Sequence, residues 1–178
     1  MSRAKIAFDS SIEDSTLLLQ HFDTIYKQSP EKAEVLKRAG IVMALTAWET
    51  YVEDRIVEAV GARLRAVNGS SIGTFVSRKL EVDLKQFHNP NSEKTKKIFL
   101  DYLEVDVTAG WKWLHYDPAL ARKTLDDLLA KRGNAVHRSK PATGGPPGPH
   151  LVKREDLEKA IRFLIGLVEA TDKALADL

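Results

Sequence analysis

Arg132 and His137 stand with four residues between them in the segment Lys131-Arg132-Gly133-Asn134-Ala135-Val136-His137-Arg138. With 11 arginines, 5 histidines and three permitted spacings, such a pair arises by chance about once in 178 residues, so it takes its meaning from its surroundings. From Leu128 to Arg154 the sequence holds no Asp or Glu in 27 residues, where the chain average of 25 in 178 would place about four. Lys131, Arg132, Arg138, Lys140, Lys153 and Arg154 all lie in that span. A pocket bordered by it would favour a phosphodiester. Arginine offers a planar fork of donors to phosphate oxygens, and no carboxylate is expected to compete for it. The plain structural reading of the same bias is that cations near a helix C-terminus complement the helix dipole.

The elements that position this segment follow from capping and periodicity. Ser10 and Ser11 precede Glu13 and Asp14 with capping-box spacing, and Leu17, Leu18, Phe22 and Ile25 follow at helical intervals, which predicts a first helix from Ile12 to Lys27. Pro30 suits the first position of a second helix, with Glu31 complementing its positive end. Ile41, Leu45, Trp48, Val52, Ile56, Val60 and Leu64 then mark one long amphipathic helix running to Asn68-Gly69. Gly40 and Gly61 cost it up to ~1 kcal/mol each relative to alanine, too little to split it. Thr74–Leu84 and Ser92–Leu103 read as two short helices separated by a turn at His88-Asn89-Pro90-Asn91. Glu104–Tyr116 reads as an ordered loop pinned by Trp111 and Trp113. Asp117-Pro118 opens the helix that carries Leu125, Leu128, Leu129 and Val136 to His137. Ser139–His150 holds four of the seven prolines and three of the ten glycines, so it is expected to be a loop. Leu157, Ile161, Leu164, Val168 and Leu175 mark a final helix. With no period-two pattern, the fold class is all-α: a helical bundle around one long central helix, in a single domain over residues 1–178.

Composition narrows the function classes. The net charge of +2 creates no global field that would advertise a nucleic-acid or membrane partner, so any such role must be local. The absence of cysteine excludes disulfides, thiol nucleophiles and cysteine-based metal sites. Met1–Asp14 has no apolar run of signal-peptide length, and no stretch approaches the ~18 apolar residues of a spanning helix. A cytoplasmic protein with no membrane association is therefore expected. His21, His88, His115 and His150 show no metal-ligand spacing, and neighbouring Asp126 and Asp127 diverge by about 100° on a helix. No metal and no cofactor are expected. Asn68-Gly69-Ser70-Ser71-Ile72-Gly73 lacks the Lys-Ser/Thr ending and preceding strand of a phosphate loop and reads as a turn. Lys94, Lys96 and Lys97 form a basic cluster more consistent with a solvated helix face than with an RNA track. Trp48 and Tyr51 read as packing rather than as a base-stacking platform. Glu49 lies beside the apolar stripe of the long helix, where it would either orient Arg132 at the rim of a cleft or be solvated.

The chain resembles the HEPN superfamily, small α-helical proteins with an arginine, four to six residues and a histidine near the end of a late helix, and in particular its RiboL-PSP or MAE_28990-like branch. The resemblance rests on Arg132-Gly133-Asn134-Ala135-Val136-His137, on Leu125-Asp126-Asp127-Leu128, on Ala47-Trp48-Glu49-Thr50-Tyr51-Val52-Glu53-Asp54 and on Phe87-His88-Asn89-Pro90 followed by a helix. It covers most of residues 30–175. Members often have a polar residue directly after the arginine, whereas here Gly133 stands there and Asn134 comes one later.

That resemblance implies metal-independent endoribonuclease activity with RNA as substrate, leaving 2′,3′-cyclic phosphate ends, in stress response, phage defence or a toxin–antitoxin pair. His137 would serve as general base or acid, since an imidazole exchanges protons near neutral pH. Arg132 would stabilise the charge developing on the phosphate. Asn134 would orient the imidazole or the phosphate, and Lys131, Arg138 and Lys140 would hold the RNA. Positions five apart on a regular helix differ by roughly 140° in direction, so either the helix loosens at Gly133 or a second chain completes the site. The resemblance favours a two-fold homodimer. The main rival is a non-catalytic HEPN-like module for dimerisation or for binding an antitoxin partner. A DNA-binding regulator lacks an evident basic recognition helix.

Overall fold

The computed structural model describes residues 1–137 and 152–176, with the backbone alone at 134–137. The described residues form six α-helices: α1 Arg3–Tyr26, α2 Pro30–Arg63, α3 Ser71–Leu84, α4 Ser92–Leu103, α5 Pro118–His137 and α6 Arg154–Ala174. Short 3₁₀ turns follow α2 (Leu64–Val67) and α4 (Val107–Gly110), and the only β pairing among the described residues is an isolated bridge between Trp113 and Tyr116. No helix among the described residues is long and apolar enough to cross a membrane.

α1 and α2 form an antiparallel hairpin. Phe22, late in α1, lies against Lys37 near the start of α2, and Phe8, early in α1, meets Tyr51 further along it. The first helix begins nine residues before the expected Ile12, because Ser2 supplies the N-cap by accepting from the Lys5 N–H. The expected stripe is also displaced. Phe8, Ile12, Ser15, Leu19 and Phe22 are buried, whereas Leu17 and Ile25 face outward. Helical spacing alone allows either face; contact with α2 selects the first.

In α2 the expected stripe is the buried one. Ile41, Leu45, Trp48, Val52 and Ile56 have no exposed surface, and this helix is the axis on which the other elements pack. Gly40 is required by that packing: a Cβ there would run into the Leu157 side chain, so glycine lets α6 approach α2. Gly166 serves α6 likewise, because a Cβ would collide with the Trp113 indole. Trp113 stacks on Tyr116 at 4.8 Å, and both rings meet Phe163 of α6. The loop after α4 is pinned by its aromatics as expected, with Trp111 fully buried and its Nε1 donating to Thr171 Oγ1 at 2.9 Å.

α4 spans the expected residues, capped by the Asn91 side chain accepting from the Lys94 N–H. α5 opens at Pro118 with the Asp117 carboxylate accepting from the Leu120 N–H. Asp126 on α5 accepts from both the N–H and the hydroxyl of Ser92, which fixes the start of α4 against α5. The expected loop at Ser139–His150 lies outside the described residues.

Candidate active site

Three elements bring the site together: the middle of α2, the turn before α4 and the end of α5. On α2, Trp48 is fully buried and its Nε1 donates to the Pro90 carbonyl at 2.9 Å, which anchors the turn to that helix. Neighbouring Glu49 is thereby set at the edge of the buried stripe, facing the turn. Its Oε1 accepts from the Asn89 backbone N–H at 2.9 Å. From the other side the Lys94 ammonium donates to the His88 carbonyl. The turn is thus held by both helices it joins in space.

Arg132 reaches this point from α5. Its Nη1 donates to Glu49 Oε2 at 2.9 Å and to Asn89 Oδ1 at 2.8 Å. The side chains of Arg132 and Glu49 are 20% and 16% exposed, so the ion pair is largely screened from water and sterically confined. Such a pair is worth more than a solvated one and fixes its geometry. Nε and Nη2 of Arg132, the edge that forms a bidentate fork, make no hydrogen bond among the described residues. One half of the guanidinium is therefore tethered and the other half left to meet an anion.

The acid-poor stretch is answered by acids from elsewhere in the chain. Arg132 has Glu49, Lys131 has Asp156 at 3.3 Å, and Arg154 has Asp23 and Glu158. The expectation that no carboxylate competes for Arg132 is therefore corrected: absence along the sequence is not absence in space, and Glu49 comes from 83 positions away. Lys131 points toward α6, beside a cavity of about 200 Å³ lined by Tyr116, Asp127, Asp156, Lys159 and Phe163, on a different side of α5 from Arg132. Lys96 and Lys97 pair with Asp106 and Asp101. The helix does not break at Gly133 but runs on to His137. The side chains of Asn134 and His137, and the whole of Arg138 and Lys140, lie outside the described residues.

Glu53, one turn beyond Glu49 on α2, completes the acidic side. Burial is the main cause that raises its carboxyl above the ordinary value, aided by the charges of Glu49 and Asp54 and opposed by His88. His88 is exposed on the turn and faces this acidic edge. Among the described residues no group of three or more His, Asp or Glu is placed to hold a metal ion.

Asn89 is the residue that sequence reasoning leaves out. Its φ of 52° places it in the left-handed region, which asparagine tolerates better than other non-glycine residues. An asparagine in a turn carries that signal in the sequence, but nothing local reveals that its side chain meets an arginine 43 positions later.

An all-α chain with a restrained arginine on a late helix, separated by four residues from a histidine, has the architecture of the HEPN class. The family model RiboL-PSP-HEPN matches residues 9–177, and the chain belongs to that family. No curated protein and no solved structure matches it significantly.

Proposed function

We propose that this protein is a metal-independent endoribonuclease that transfers the RNA phosphodiester to the neighbouring 2′-hydroxyl, leaving a 2′,3′-cyclic phosphate and a free 5′-hydroxyl. The observation that carries the reading is Arg132: a half-tethered guanidinium in the motif position of a RiboL-PSP-HEPN chain, with its bidentate edge unengaged among the described residues. The 2′-hydroxyl is already held beside the phosphorus, so the protein needs to supply proton transfer and charge stabilisation rather than a nucleophile. His137 takes the 2′-hydroxyl proton or gives one to the leaving 5′-oxygen. Arg132 stabilises the negative charge that grows on the phosphate oxygens, and Asn134 orients one of the two partners. Lys131, Arg138 and Lys140 hold the RNA backbone. The Lys131–Asp156 pair is half-exposed and long at 3.3 Å, so it opposes a phosphate contact only weakly.

Because α5 is continuous to His137, positions 132 and 137 lie about 140° apart around its axis. This supports a two-fold dimer in which the arginine of one chain works with the histidine of the other. The cellular role follows the family: stress response, phage defence or a toxin held by an antitoxin.

One observation favours a second reading. An arginine bound to a carboxylate is an ordinary structural ion pair, and a non-catalytic module that dimerises or binds an antitoxin would keep it. The deciding experiment is cleavage of a single-stranded RNA in excess EDTA by wild type and by His137→Ala, with product ends identified by mass and the oligomeric state read by light scattering at tens of micromolar. The expected result is a dimer that cleaves RNA but not 2′-deoxy substrates, and a folded His137→Ala variant slower by about 10²-fold or more. A wild type without activity, or a variant as active as wild type, supports the scaffold reading.

A further inference from the structure

Arg132, Glu49 and Asn89 form a closed triangle. The arginine donates from one nitrogen to both partners, and the Asn89 backbone N–H donates to the remaining Glu49 oxygen. Each corner belongs to a different element: α5, α2 and the turn before α4. Asn89 holds its corner in a left-handed conformation that glycine would adopt without steric cost. A turn that only had to reverse the chain would be better served by glycine. Glycine would keep the backbone bond to Glu49 and lose only the side-chain bond to Arg132. The chemistry of that bond is also specific, because the amide oxygen is a neutral acceptor. It restrains the guanidinium without cancelling its charge, whereas a second carboxylate there would leave Arg132 with a net negative surrounding and weaken its hold on a phosphate.

We propose that Asn89 is a positioning residue for Arg132. It takes the second Nη1 hydrogen, which slows exchange of the two Nη groups about the Nε–Cζ bond and sets the tilt of the planar guanidinium about Cδ–Nε, so that the Nε and Nη2 edge is presented in one direction. Glu49 alone engages one of the two Nη1 hydrogens and leaves the plane free to swing. The catalytic consequence rests on the nuclease reading given above; the restraint itself does not.

The test uses two variants of the full chain. Asn89→Gly suits the left-handed backbone and deletes only the acceptor, so Tm is expected to stay within a few degrees of wild type. The kcat for RNA cleavage is expected to fall about tenfold, with KM changing less than about threefold, the pattern of an interaction made in the transition state. Asn89→Asp restores the acceptor in a residue that also tolerates this conformation. It is expected to restore the restraint on Arg132, while the added negative charge raises KM and holds kcat below wild type. Nitrogen-15 NMR of the Arg132 guanidinium supplies a readout independent of activity: separate Nη signals in wild type and Asn89→Asp, and averaged signals in Asn89→Gly. Unchanged kcat and unchanged Arg132 rotation in Asn89→Gly overturn the proposal, as do averaged Nη signals in Asn89→Asp. Should wild type show no RNA cleavage, the nuclease reading falls, and the NMR comparison still decides whether Asn89 holds Arg132.

Discussion

Glu49 and Arg55 lie six positions apart on α2, and each belongs to an arginine–carboxylate cluster that bridges to a distant helix. In the second cluster the acid is the centre. Asp172 of α6 accepts from Ser2 Oγ at 2.8 Å, Tyr51 Oη at 2.9 Å and Arg55 Nε at 2.7 Å, so one carboxylate ties the cap of α1, the face of α2 and the end of α6. Burial, with the charge of Asp172 adding to it, pushes the Tyr51 phenol far above its ordinary value and so favours the protonated form that donates. Ser2 and Tyr51 are neutral donors that stabilise the carboxylate without asking it to do anything else. In the first cluster the arginine is the centre, its acceptors use only one of its nitrogens, and one of them sits on strained backbone. Two pairs with similar burial thus differ in which group stands at the centre. The Asp172 cluster gathers three donors around an acid and fastens helices, with Arg55 held through Nε alone; the Arg132 cluster gathers two acceptors around a cation, one of them on a turn.

The largest expected effect comes from breaking the fastening. Asp172→Ala strands the Arg55 charge in a site where it is mostly buried and leaves the buried Tyr51 hydroxyl only its longer bond to the Val168 carbonyl. The expected loss is about 3 kcal/mol of folding stability, or about 9 °C in Tm for a chain of this size, measured by thermal or urea unfolding. The specific cleavage activity of the protein that remains folded should match wild type. A stable Asp172→Ala variant, or one folded but inactive, would erase the distinction between the two clusters.

Next comes a matched pair of substitutions. Arg132→Lys keeps the charge but loses the planar fork, so kcat for RNA cleavage is expected to fall by about 10- to 100-fold while RNA affinity falls by less than about threefold. Arg55→Lys is expected to leave kcat within about twofold of wild type and to lower Tm instead, because the lysine cannot reproduce the Nε bond to Asp172. Steady-state kinetics beside thermal melts read both. Equal kinetic effects at the two positions would show that neither arginine is special to the chemistry.

The helical framework is largely readable from the sequence because its signals are local: proline at N1 of α2 and α5, the Asp117 and Asn91 caps, and the stripe from Ile41 to Val60. The start of α1 is less readable, since Ser10 and Ser11 offer a cap as good on paper as Ser2; the packing of Phe8 on Tyr51 of α2 and the Glu58 carboxylate, which accepts from the Arg3 and Ala4 N–H groups, reward the earlier start. The site is half-readable for the same reason. Arg132 and His137 share a short segment, and the run without acids around them can be counted. Glu49 stands out only as a residue beside a stripe, because its partner is 83 positions away, and Asn89 looks like any turn asparagine until the turn is docked on Trp48. Asp172 carries no local mark at all: one carboxylate near the end of a helix becomes a hub only when three elements converge on it.

The smallest expected effect lies between the two clusters, at Glu53. Its carboxyl is raised above the ordinary value by burial first and then by Glu49 and Asp54, so the folded protein holds that proton more tightly than the unfolded chain does. The sign follows directly. Between the ordinary glutamate pKa and the raised folded value the native state binds more protons, so stability falls as pH rises through that window, and the penalty is fully present above it. Glu53→Gln removes the charge and therefore the penalty. The variant is expected to melt slightly higher than wild type at pH 7, by about 1 °C, and no higher at a pH below the ordinary glutamate range, where the wild-type side chain is already neutral. Because Glu49 is the second cause of the shift, Glu49→Gln should lower the Glu53 pKa, followed by carbon-13 NMR of the Glu53 carboxyl, and the gain from Glu53→Gln should shrink in the double variant. That non-additivity sharpens the comparison. Glu49 then acts as a live negative charge shared between Arg132 and its own helix neighbour, whereas additive effects would mean that Arg132 has already cancelled it.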